Sequence, residues 1–76
     1  MNIMETELTT QEKLGIINQH IKSIITNIYN INVAIISESS LTQPNQENLD
    51  NLNGELQKEN TKKQALLQEY ATISEG

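Results

Sequence analysis

The sequence predicts an all-α fold: an antiparallel two-helix hairpin with heptad packing that self-associates into a four-helix or larger bundle. Three observations predict it. Two long segments each repeat hydrophobic residues at alternating spacings of three and four. A short stretch of turn-forming residues separates them. The first segment also holds more isoleucine than the seam of one hairpin can use.

The first helix is expected over about 10–39. Leu14, Ile17, Ile21, Ile24, Ile28, Ile31 and Ile35 follow one another at spacings of 3, 4, 3, 4, 3 and 4. Such spacing keeps every member on one narrow stripe of a helix, the seam of knobs-into-holes packing. The stretch "TTQE" opens it, with Thr9 suited to cap the first turn and Glu12 to return the bond as a capping box. Isoleucine is β-branched and only a moderate helix former, so tertiary packing has to hold this helix. Residues 1–8 precede the cap and are expected to form a flexible arm.

The repeat stops at "SESSLTQPNQEN", where Thr42, Pro44, Asn45 and the serines supply turn and cap chemistry. A turn is expected over about 40–44, with Pro44 suited to the first turn of a second helix over about 45–73. That helix carries Leu49, Leu52, Leu56, Glu59, Lys63, Leu66, Tyr70 and Ile73 at the same alternating spacing. Asn53-Gly54 is a strong turn dipeptide. Here the phase of Leu52 runs unshifted through Leu56 to Leu66, and Gly54 falls on the outward face, so the helix continues. Residues 9–76 thus read as one domain.

With the turn centred near Leu41 to Gln43, residue i is expected to face about residue 84 − i. Ile35 then meets Leu49, Ile31 meets Leu52, Ile28 meets Leu56, Ile17 meets Leu66 and Leu14 meets Tyr70. In the middle, Ile21 and Ile24 face Lys63 and Glu59, which are one turn apart and able to pair with each other. Those two isoleucines are expected to be incompletely covered by their own chain. Off the seam, Ile25, Tyr29, Val33 and Ile36, with Asn32 among them, form a second stripe that the second helix cannot reach. Contiguous exposed apolar patches mark interfaces. These five residues are the expected self-association surface, with Tyr29 as an anchor.

Composition narrows the function. Five lysines, no arginine and ten acids leave a net charge of −5, which argues against nucleic acid, because phosphates are met by a basic face. No cysteine and a single histidine exclude disulfides, thiolate metal sites and a multi-histidine metal site within one chain. With Phe and Trp absent, the core has to be aliphatic. The acidic start does not read as a signal peptide. The longest apolar run, Val33 to Ile36, is far short of the roughly 20 residues a membrane span needs. A cytoplasmic location without membrane contact is the expectation.

No nucleophile, base and orienter can be assembled from His20 and the scattered serines. Zinc-protease helices and glycine-rich phosphate loops are absent as well. The chain therefore reads as non-enzymatic and free of cofactors. One charge pattern is of interest. His20, Lys22, Lys58, Lys62 and Lys63 fall in the middle third of the hairpin between acidic ends that include Glu5 and Glu7. They form a candidate anion-binding belt for a phosphate or nucleotide.

Eleven isoleucines, ten asparagines and no arginine point to AT-rich coding DNA. A small acidic helical hairpin of this kind is similar in size, charge and architecture to many phage accessory proteins. That resemblance implies a tail-assembly helper, an inhibitor of host defences or a nucleotide-sequestering oligomer in the host cytoplasm, and it assigns no residue a role. The expected function is binding of a protein partner by a homo-oligomer acting through helix–helix packing, as adaptor, assembly factor or inhibitor. The alternatives are an oligomeric sponge that sequesters an anionic small ligand through the lysine belt, and a structural component of a virion or other assembly.

Overall fold

The computed structural model describes residues 7–76, so most of the expected N-terminal arm, with Glu5, lies outside the described residues. Two α-helices, α1 (Thr10–Ser39) and α2 (Gln46–Glu75), pack against each other, and the described residues contain no strand. Each helix has 30 residues, about 45 Å at 1.5 Å per residue.

Local chemistry fixes where α1 begins. Thr9 is extended, its Oγ1 accepts from the Glu12 backbone N–H at 3.1 Å, and Glu12 Oε1 accepts from the Thr9 N–H at 2.8 Å. Both bonds satisfy donors that the first turn leaves orphaned. At the other end the Ser40 hydroxyl donates to the Ser37 carbonyl at 2.7 Å, and the Leu41 N–H donates to the Glu38 carbonyl at 3.2 Å. These three-residue bonds tighten the last turn and satisfy exposed carbonyls without a left-handed residue.

Asn45, not Pro44, starts α2. Its Oδ1 accepts from the Asn48 N–H at 3.0 Å, and its own N–H donates to Glu38 Oε2 at 2.8 Å. An N-cap needs a side-chain acceptor, which asparagine has and proline lacks. Pro44 therefore stands one residue before the cap instead of in the first turn. Glu38 straps the last turn of α1 to the first of α2.

The helices run antiparallel. Asn27 Nδ2 donates to Glu59 Oε1 at 3.2 Å, and a groove sets Asn30 and Ile31 beside Glu55 and Lys58. Nearer the turn, Ala34 and Ser37 lie beside Asn48 and Asn51. The register differs from the 84 − i expectation, which pairs Asn27 with Gln57. The turn is centred later than expected, because Asn45 takes the cap, and α2 slides accordingly.

That displacement alters the core. Ile21 and Ile24, at 8% and 7% exposure, are the two buried hydrophobic residues of the described chain, although the sequence points to them as the poorly covered pair. Two causes act together. The register set by the Asn27–Glu59 bond puts Ile21 level with Ala65 and Leu66, and Glu59 and Lys63, both half-buried, have aliphatic stems that can cover apolar neighbours. From Leu14 to Ile35 and from Leu49 to Ile73, the other seam residues are half-buried. No large side chain among the described residues is fully enclosed.

Gly54 is helical, and a Cβ built on it meets nothing within 4 Å. Gly54→Ala is therefore expected to stabilise the fold by about 0.5–1 kcal/mol, because glycine loses more backbone freedom on folding. Urea unfolding checks this: the midpoint should rise with an unchanged slope. A lower midpoint would mean that another chain covers this ridge in solution.

Candidate functional site

Each residue of the second stripe on α1, Val33 apart, follows a seam residue directly: Ile25 after Ile24, Tyr29 after Ile28, Asn32 after Ile31 and Ile36 after Ile35. Consecutive helical residues are roughly 100° apart, so the stripe stands about a quarter turn from the seam. There α2 cannot cover it. Ile25, Tyr29, Val33 and Ile36 are 50%, 69%, 43% and 68% exposed, and Asn32 is exposed among them. From Ile25 to Ile36 the stripe rises about 16 Å along three turns. Leu8, Ile16, Leu41 and Leu67 are also exposed but lie apart from it.

The lysines are arranged differently from the expected belt. Lys62 Nζ lies 2.7 Å from Glu59 Oε2, whereas the sequence suggests Lys63 as the partner of Glu59. Lys63 instead occupies the seam, half-buried, and leaves Glu59 to the lysine on the flank. The hydrogen bond from Lys62, and then the one from Asn27, hold the Glu59 carboxyl below the ordinary carboxylate range. Both favour the ionised form.

Lys58 and Lys62 line a shallow groove on α2 with Glu59, Gln57 and Thr61. Lys22 lines another groove on α1 with Asn18, Gln19 and Ile25. Neither groove combines Lys22 with the α2 lysines, and the exposed His20 lines neither. Among the described residues no group of three or more His, Asp or Glu side chains is placed to hold a metal ion. No helix of the described chain is long and apolar enough to cross a membrane.

Two side-chain contacts were not read from the sequence. Glu38 straps the connection, and its signal was present: it stands three residues after Ile35, in phase with the seam. Asn27 bonds Glu59 across the helices, which depends on the register and carries no signal in spacing alone.

The apolar stripe is thus the most developed surface feature of the hairpin, and comparison with protein-family models, with curated proteins and with solved structures finds no match to this chain.

Proposed function

We propose that the chain is a non-enzymatic, protein-binding helical hairpin, an adaptor, assembly factor or inhibitor that acts as a homo-oligomer. Its seam packs knobs into holes, and the outer face of α1 is its docking surface. One observation carries this reading: Ile25, Tyr29, Val33 and Ile36 are exposed in helical phase on a hairpin in which just two hydrophobic side chains of the described residues are buried. Patches of that kind mark sites of association. Tyrosine at their centre supplies a large apolar area with a hydroxyl for the wet edge.

Tyr29→Ala tests the reading. Central tyrosines are frequent hot spots, and losing about 2 kcal/mol weakens association roughly 30-fold. Sedimentation equilibrium of wild type and variant should show that loss, with helicity retained at concentrations high enough to keep the variant associated. If Tyr29→Ala alters neither self-association nor binding of a purified partner, the outer face of α1 is not the docking surface.

A further inference from the structure

A helical hairpin has two broad sides, each made from one flank of each helix. The grooves identify one of them: Asn27, Asn30 and Ser37 of α1 lie there beside Asn51, Glu55 and Lys58 of α2. The opposite side is formed by the other flanks. On α1 it carries the stripe, from Gln11 through Lys22 to Ser39. On α2 it runs from Gln46 to Ser74, through Asp50, Gln57, Asn60 and Leu67, all exposed. Over this whole side the charged residues are Lys22 and Asp50, which cancel, although the chain carries −5. The acid excess lies on the seam and on the outer ridges, with Glu12, Glu47 and Glu75 on the latter, while Lys13, Lys58 and Lys62 offset Glu55 and Glu69 on the grooved side.

We infer that this charge-poor side seats a second copy of the chain, stacked so that α1 lies antiparallel on α1 and α2 on α2. The inference rests on the docking role of α1 proposed above and adds α2 and the identity of the occupant. Two copies that meet through this side bring no acid cluster of one chain against an acid cluster of the other, unlike copies that meet through the outer ridges. A two-fold axis midway between Tyr29 and Asn32 sets Ile25 against Ile36 of the other copy, and Tyr29 against its Asn32.

The same operation carries Lys22 to the last turn of the other copy's α1, which has no basic residue of its own. Carbonyls there hold partial negative charge, so the lysine is complementary to that end. The overlap from Lys22 to Ser39 is about 26 Å long. Across two helices roughly 10 Å wide each, it gives a footprint of about 500 Å² per copy. Corrugation of the side chains raises the accessible area covered toward the ~800 Å² per partner of standard interfaces. Since the hairpin alone encloses so little, the cover has to be present whenever the chain folds, and a second copy always is.

The chain has no cysteine, so single-cysteine variants of the full chain report proximity cleanly. Asn32 and Gln57 lie close to the proposed axis on the charge-poor side, and Asn30 lies at the same height on the grooved side. On mild oxidation Asn32→Cys and Gln57→Cys should each form a disulfide-linked dimer, while Asn30→Cys stays single. If Asn32→Cys links and Gln57→Cys does not, the α1 stripes meet but the broad-side stack is overturned. If neither links while Tyr29→Ala still weakens binding of a purified partner, a second copy is not the occupant and the docking role of α1 stands. Linking of Asn30→Cys as readily as Asn32→Cys would also overturn the arrangement.

Discussion

Replacing Ile25 and Ile36 together by glutamate is expected to yield a monomer that has lost much of its helix. In a two-fold assembly each isoleucine lies against the other, so the double variant puts four carboxylates into one apolar seam. Burial of a large aliphatic side chain contributes roughly 1.5–3 kcal/mol before association costs, and all four such contributions disappear. The new charges also add to a chain already at −5. Two buried hydrophobic side chains among the described residues are too thin a core for a hairpin of this length, so loss of the partner should be felt in the fold itself. Sedimentation velocity and circular dichroism on the same samples check both parts. A helical dimer would place the interface elsewhere. A wild-type chain that sediments as a well-folded monomer at micromolar concentration would mean that the stripe receives a different protein.

Ile24→Ala should be among the most damaging single truncations in the seam, costing about 2–4 kcal/mol, with Ile21→Ala close behind. Large-to-small changes cost most where the surroundings are closed and cannot collapse. At 7% and 8% exposure these two sites are the most closed in the described chain, whereas Ile31 and Leu52 are half-buried and should lose less. Natural domains hold only about 5–15 kcal/mol in total, so either truncation should move the urea midpoint far. If Ile31→Ala proves costlier than Ile24→Ala, the centre of the core lies nearer the turn than the burial pattern puts it.

These two cases also show what the amino-acid order reveals and what it hides. Both helices, the capping box of Thr9 and Glu12, and the side of each helix that turns inward were legible, because each depends on spacing within a few residues. The pairing between helices was not. It hangs on the centre of the turn, and moving that centre by one residue moves every opposing pair by about two. Whether Pro44 falls in the first turn of α2 or ahead of an Asn45 cap decides that centre. Coverage of Ile21 and Ile24 was misjudged for another reason: Lys63 and Glu59 read as gaps by charge, yet both bring aliphatic stems. The stripe could be seen from the sequence as apolar residues off the seam. The lysine belt was read from height along the hairpin, which says nothing about side, whereas helical phase sets Lys22 with the stripe and Lys58 and Lys62 on the grooved flank.

The strap from Glu38 to the Asn45 N–H has a consequence for how the chain reaches its fold. Starting a helix is its costly step, since several dihedrals are fixed for a single bond. Here the last turn of α1, once wound, holds an acceptor where the first donor of α2 must come to rest, across a connection of a few residues. The loop to be closed is the six residues between Ser39 and Gln46, within the ordinary range for a helical pair, and its entropy cost is modest. Each later layer then joins residues already near one another, and pairing is expected to spread from the turn toward the termini. The second helix is in this sense seeded by the end of the first.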